Sequence, residues 1–299
     1  MEQLYKDQVS LLLKVLPEVA KEASLALHGG TAINLFIRDM PRLSVDIDLT
    51  YLPVEDRVTT IQHITEALER IKANLEGNIP GVTVTLKAAT GKLMISTKSA
   101  TVKLEVNLVG RGTYAEPIVL PLCVKAQDEY DVFCEIAVVP LGQLYGGKIC
   151  AALDRQHPRD LFDVKYLLAN EGFTEEIKKG FLYCLLGSER PFNEMLNPNL
   201  QDQRSALENQ FTGMAAEEFS YEEYEQTRAA LIDVIRKSLT KEDKEFLLSF
   251  KNLNPVWDKY PYEQYPSVRW KLQNLQNLKE KNPNKHAQLY AILKELLDY

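Results

Sequence analysis

The sequence predicts an α+β fold, a helix-bearing sheet over residues 1–140 followed by a mainly helical half over 141–299. Three observations point there. Period-two alternation from Ser44 to Tyr51 marks a half-buried strand, and apolar, β-branched runs separated by Gly and polar turns continue the strand pattern to residue 139. Apolar spacing near 3.6 residues places helices before and among these strands, and after Pro140 only helical spacing remains. At 299 residues the chain exceeds the usual size of a single core, so two domains, 1–140 and 141–299, are the default expectation.

Taken in order, Leu4–Ala26 opens with helical spacing at Leu12, Val15, Leu16 and Val19, with Pro17 as an irregularity. Leu25–His28 is a short apolar run that stops at Gly29-Gly30, and Thr31–Arg38 reads as a short helix closed by Pro41. The glycines therefore occupy a corner that enters a helix, from a strand or from another helix. In Ser44–Tyr51, Val45, Ile47 and Leu49 point one way and Ser44, Asp46, Asp48 and Thr50 the other. Val58–Leu75 is amphipathic through Ile61, Ile64, Leu68, Ile71 and Leu75. Val82–Leu86, Lys92–Thr97 and Thr101–Val109 read as consecutive strands, and Ile118–Val124 with Phe133–Val139 as a further pair. Helices follow over Gly142–Leu153, Pro158–Asn170, Glu175–Leu186, Tyr221–Leu239 and Lys241–Phe250, with loops expected in the Asn-, Pro- and Gln-rich Ser188–Gly213.

Composition narrows the function classes. The net charge is −7 and the pI about 5.3. Dedicated duplex binders are usually basic, so DNA is not expected as a partner, although a local basic groove is compatible with this balance. The apolar run Val9–Leu16 is broken by Lys14, is too short to span a bilayer and lacks a small-residue cleavage site, so neither membrane nor export is expected and the location expected is cytoplasmic. Four cysteines and four histidines are scattered without metal-ligand spacing, which argues against a zinc site and a disulfide framework.

The chemistry centres on Asp46 and Asp48. Two residues apart on a strand they share a face, with Cα atoms roughly 6–7 Å apart. Mg²⁺ prefers carboxylate oxygens and retains sites for water and phosphate, so it suits such a pair, though a lone Asp-x-Asp is more often two solvated aspartates. Gly29-Gly30-Thr31 opens a helix, which permits close approach to a phosphate; the same residues also suit a tight turn capped by Thr31. Glu105 faces away from Val102, Leu104 and Val106. It completes a three-carboxylate site if its strand neighbours that of Asp46; otherwise Lys103, Glu105 and Asn107 are a wet strand face. Farther on, Lys148, Arg155 and Arg159 bring positive charge, with Pro158 expected to begin a new helix. Asp160 also suits a helix dipole partner, and Arg159 with Asp163 a surface ion pair.

Together these residues resemble a known family. His28–Leu49, HGGTAINLFIRDMPRLSVDIDL, resembles the AbiEii/AbiGii toxin family within the DNA polymerase β-like nucleotidyltransferases, through Gly29-Gly30-Thr31-Ala32, Arg42, Ser44 and Asp46-Ile47-Asp48. VKLEV, Val102–Val106, is similar to that family's second motif, with Glu105 standing where Asp is expected. Gly146–Leu167 resembles the remaining motifs through Lys148, Arg155, Arg159, Asp160 and Asp163.

The resemblance implies a polymerase β-type domain, a mixed sheet flanked by helices, followed by a helical domain that brings Lys148 and the Arg-Asp-x-x-Asp motif to the active-site cleft. It implies two Mg²⁺ ions, with Mn²⁺ as an alternative, held by Asp46, Asp48 and Glu105. The nucleotide would be held by Gly29, Gly30, Thr31, Ser44, Lys148, Arg159, Asp160 and Asp163, and Lys148 would answer charge on the pyrophosphate. The implied reaction is NMP transfer from an NTP to an acceptor hydroxyl, on RNA and plausibly a tRNA 3′ end. The implied setting is toxin–antitoxin biology and phage defence, with a cognate antitoxin as partner. Arg269, Trp270, Lys271, Lys279, Lys281 and Lys285 are the basic stretch that suits RNA, or else a solvated helix face. Two rivals remain: a small-molecule, antibiotic-type nucleotidyltransferase, which needs no basic acceptor surface, and a non-catalytic interaction protein.

Overall fold

The computed structural model describes residues 3–298. The chain divides into two compact units. One runs to Pro140 and takes in Asn209–Phe219; the other comprises Leu141–Glu208 and the chain from Ser220 onward.

The first unit is built on a seven-stranded mixed sheet. Its strands are β1 (Leu25–His28), β2 (Asp46–Tyr51), β3 (Thr83–Lys87), β4 (Lys92–Ser96), β5 (Thr101–Asn107), β6 (Ile118–Pro121) and β7 (Glu135–Val138), in the order β3-β4-β5-β2-β1-β7-β6. The β2–β5 and β1–β7 pairs are parallel and the others antiparallel. Alternation decides what each face does. Ile47, Leu49, Leu93, Ile95, Val102, Leu104 and Val106 are buried, while Asp46, Asp48, Lys92, Lys103 and Glu105 are half-buried on the other face. Helices α1 (Gln3–Val19) and α3 (Arg57–Asn78) pack on the sheet. They contribute Leu12, Val15, Leu16, Val19, Ile64, Leu68 and Ile71 to the core. Asp56 caps α3, its side chain accepting from the Val58 and Thr59 N–H groups.

Two departures from the sequence reading are instructive. Ile118–Val124 and Phe133–Val139 do pair, but as shorter strands joined through α4 (Val124–Tyr130), which ends on left-handed Asp131. More consequential is Asn209–Phe219. The sequence places it in the helical half, yet it packs with the first unit: Leu43 N–H donates to the Met214 carbonyl at 2.8 Å, Ala216 N–H to that of Pro41 at 3.0 Å, and Arg42 bridges Ala215. Phe211, Met214 and Phe219 are buried there. This strap braces the backbone just ahead of Asp46.

The second unit is helical: α5 (Leu141–Asp154), α6 (Pro158–Asn170), α7 (Glu175–Gly187), short α8 (Phe192–Leu196) and α9 (Arg204–Gln210), α10 (Tyr221–Ser238), α11 (Lys241–Lys251), α12 (Pro266–Lys281) and α13 (Pro283–Leu296). Its tightest junction is α5 on α7. A Cβ added at Gly180 would lie 1.8 Å from the Gly142 carbonyl oxygen, and one at Gly146 would lie 2.3 Å from the Gly180 carbonyl carbon. The two helices touch backbone to backbone, which only glycine permits.

Candidate active site

In the first unit the sheet assembles the acidic residues. β1 enters the glycine corner and pairs antiparallel with β2, setting His28 opposite Asp48. Gly29 takes φ +72°, and a Cβ there would lie 2.7 Å from Asp48 Oδ2. Glycine is therefore required twice over, by backbone conformation and by the aspartate packed against it. At Gly30 the absent Cβ leaves room for Arg42 Nη2 at 2.8 Å and Ser44 Oγ at 3.1 Å. Arg42 is buried and its Nη1 donates to the Leu43 carbonyl at 3.0 Å.

Thr31 and Ser44 bond within the protein. Both are buried, and the Thr31 hydroxyl sits 2.5 Å from the Asp46 carbonyl oxygen and 2.9 Å from Ser44 Oγ. Thr31 clips the corner to the start of β2 and thereby positions the backbone of Asp46.

Parallel pairing of β2 with β5 places Asp46 beside Lys103 and Asp48 beside Glu105, and the β4–β5 register places Lys92 on the other side of Glu105. Asp46, Asp48 and Glu105 thus share one face, the neighbourhood on which a three-carboxylate site depends. They are not a ready-made cage: among the described residues, no three His, Cys, Asp or Glu side chains are grouped to hold an ion. Glu105 is drawn instead to Lys92 Nζ and Lys103 Nζ, each 3.1 Å from one of its oxygens. Burial works to raise the Glu105 carboxyl, but the two lysines outweigh it and hold it below its ordinary range. Burial likewise works to lower the Lys103 ammonium, while Asp46, Glu105 and Asp48 raise it above its usual value. The donor set is all oxygen and half-exposed, which fits Mg²⁺ in chemistry; it requires Glu105 to leave its lysines.

In the second unit α5 and α6 bring together the other motif. Pro158 stands at the first turn of α6, as its fixed φ favours, with His157 as N-cap accepting from Arg159 N–H. Lys148 Nζ lies 2.8 Å from Asp160 Oδ1 and 3.0 Å from Asp163 Oδ2, with all three side chains buried. Arg155, largely exposed, adds a two-pronged bond to Asp160, Nε to Oδ2 at 2.5 Å and Nη2 to Oδ1 at 3.0 Å. Burial would raise the Asp160 carboxyl, yet Lys148 and Arg155 hold it well below the usual carboxylate range. Arg159 is half-buried in the first turn of α6.

The family model of the AbiEii nucleotidyl transferase toxins, from type IV toxin–antitoxin systems, matches residues 10–274. The chain belongs to this family. The chain is also similar to MenT4, a nucleotidyltransferase toxin from Mycobacterium tuberculosis H37Rv, with a TM-score of 0.63 over 92% of this chain and 95% of that one, at 13% identity. At that identity the likeness is one of fold. No protein of curated function matches the chain in sequence. Its enzymatic class is nucleotidyl transfer, and its role that of the toxin in a toxin–antitoxin pair. Among the described residues no helix is long and apolar enough to cross a membrane.

Sequence reasoning set Lys103 in phase with Glu105 only as a solvated residue, and did not place Lys92 on the acidic face at all. Their signal was present, since Lys103 alternates in phase with Glu105, but alternation alone equally describes solvated residues. The basic stretch also changes. Arg269, Trp270, Lys279, Lys281 and Lys285 are exposed, but Lys271 is buried, its ammonium donating to the carbonyls of Ser188 (2.6 Å) and Arg190. Burial pulls its pKa down to about 8. Lys271 holds the α7–α8 connection and drops out of the patch. Glu223 closes the capping box of α10 with Ser220 and pairs with Lys165 at 3.0 Å.

Proposed function

We propose that this toxin transfers NMP from an NTP to a hydroxyl at an RNA 3′ end, tRNA foremost, in a reaction that depends on Mg²⁺ and for which Mn²⁺ can substitute. The observation that carries the reading is the β2–β5 register, which sets Glu105 beside Asp48 on the same face as Asp46. Asp46, Asp48 and Glu105 would hold the divalent ions. When bound, these supply Lewis-acid stabilisation of phosphoryl charge and align an in-line displacement.

The chain's own groups do the rest. Gly29 leaves room for Asp48, Thr31 fixes the backbone of Asp46, and Arg42 with Ser44 packs the underside of Gly30. Freed from Lys92 and Lys103, the Glu105 carboxylate is the base suited to orient the attacking hydroxyl and accept its proton, with pyrophosphate as the leaving group. Lys148, in its Asp160–Asp163 frame with Arg155 and Arg159 nearby in sequence, is assigned to the triphosphate by the motif it matches; the frame fixes its ammonium as a pre-set charge. The exposed Arg269, Lys279, Lys281 and Lys285, with Trp270 for base stacking, favour RNA over a small-molecule acceptor. Blocking tRNA ends would arrest growth, the outcome a phage-defence toxin requires, and the family implies an antitoxin that counters it.

The test is incubation with each labelled NTP, total RNA and Mg²⁺ or Mn²⁺. Label should enter a small-RNA band with wild type and not with Asp46→Asn. Incorporation that survives EDTA, or that proceeds equally in Asp46→Asn, would sink the reading; transfer to a small molecule but not to RNA would leave the antibiotic-type activity.

A further inference from the structure

Metal ligation alone does not call for lysines among the acids, yet the carboxylate face has two. Both oxygens of Glu105 are engaged, one by Lys92 and one by Lys103, at 3.1 Å each. Lys103 is the more central, since the sheet seats it directly beside Asp46 as well as next but one to Glu105 along β5. The side chains of Lys103 and Glu105 are about a third exposed, 35% and 33%, so neither is locked in place by packing. A lysine is a compact point charge on a flexible stem. Leaving Glu105, it goes to water or, more favourably, to another anion.

An ammonium and a divalent ion repel one another when they share a few ångströms among the same acids. A free divalent ion entering this face must therefore displace Lys103 into water, with no new anion to receive it. A metal–nucleoside triphosphate complex brings its own anions, and the displaced ammonium gains a phosphate oxygen in place of Glu105. Metal loading is then coupled to nucleotide loading, and by linkage the coupling is reciprocal.

We infer, resting on the metal-dependent reading above, that Lys103 is the resident counter-cation of the Asp46–Asp48–Glu105 face, a positioning residue that withholds Glu105 from metal until a nucleotide arrives. The site selects the metal–nucleotide complex over the bare ion. Glu105 is the hinge of this exchange, and Lys92 supports it from the far strand.

The experiment measures Mn²⁺ binding to the full chain by electron paramagnetic resonance, with and without a non-hydrolysable NTP analogue. Wild type should bind Mn²⁺ weakly alone and more tightly with the analogue. Lys103→Met should bind Mn²⁺ alone about tenfold more tightly, the scale on which a neighbouring like charge shifts an ionic equilibrium, and the gain produced by the analogue should shrink. Lys103→Arg, which keeps the charge, should restore wild-type behaviour, and Lys103→Gln serves if the Met variant is poorly folded. Unchanged or weaker Mn²⁺ affinity in the neutral variants, with binding still lost in Asp46→Asn, overturns the role of Lys103 and spares the metal site. Should wild type bind no Mn²⁺ in either condition, or Asp46→Asn bind it as well as wild type, the metal reading fails and this inference with it.

Discussion

The acids on the sheet and the acids on α6 are each matched by two basic side chains, but they stand at different depths. Lys92, Lys103 and Glu105 have side chains 32–35% exposed. Lys148, Asp160 and Asp163 are 6%, 1% and 1% exposed. A half-exposed ion pair is worth little and exchanges partners readily. A buried one, once formed, is costly to break because the partner left behind is an uncompensated charge. The same residue types therefore make an exchangeable face in one unit and a fixed strut in the other. Substitutions in the first should act mainly on activity, and in the second on stability as well.

The sharpest separation of the two comes from Asp46→Asn. Nucleotidyl transfer should fall about 10³-fold, the scale of losing a principal electrostatic group in a phosphoryl-transfer site, with the thermal midpoint close to wild type. A large drop in the midpoint would place Asp46 with the structural charges and break the comparison. Lys148→Met should behave oppositely in stability, costing about 3–5 kcal/mol because Asp160 and Asp163 lose their buried partner; urea titration reads this directly. A Lys148→Met protein as stable as wild type would mean that the strut is exchangeable too.

Gly180→Ala sharpens the point without touching a charge. The added methyl meets the Gly142 carbonyl oxygen at 1.8 Å, so α7 must move from α5, the helix that bears Lys148, at a cost of about 1–3 kcal/mol for overpacking. Denaturant unfolding with unaltered β-sheet circular dichroism checks that the loss is confined to the helical unit. The acid limb offers a milder probe. Asp160 has its folded pKa depressed, so its contribution is complete above the unfolded value of roughly 3.9 and declines as pH falls through and below it. Asp160→Asn should therefore lower stability at neutral pH and flatten its acid dependence. Last, Thr31→Val removes a buried hydroxyl contact to Asp46, worth about 1–2 kcal/mol; activity should fall further than stability does, since the strand bearing both aspartates begins there.

Within the acidic face, the local pattern was read directly. Alternation in Ser44–Tyr51 determined that Asp46 and Asp48 point together, because successive strand side chains alternate sides whatever the surroundings. Pro158 at the head of α6, the glycine corner ahead of a helix, and most helices of the second unit were legible for the same reason: their signals lie within one or two turns of chain. Helices α12 and α13 were not, since their buried positions, among them Val268, Lys271, Leu275, His286 and Leu293, are too sparse and too polar to register as an apolar stripe.

What the chain alone determined, then, is the facing of strand side chains and the course of those helices that carry a clear apolar stripe, both set by steric and hydrogen-bonding preferences of near neighbours. Which strand lies beside which was decided only by tertiary structure: Asp48 meets Glu105 because β5 (from Thr101) closes against β2 (to Tyr51) across the 49 residues between them. Tertiary structure also decided depth, turning Lys271 from a surface cation into a buried donor and bringing Met214 back to Leu43. Periodicity reports direction, whereas neighbourhood and burial follow from how the whole chain closes its core.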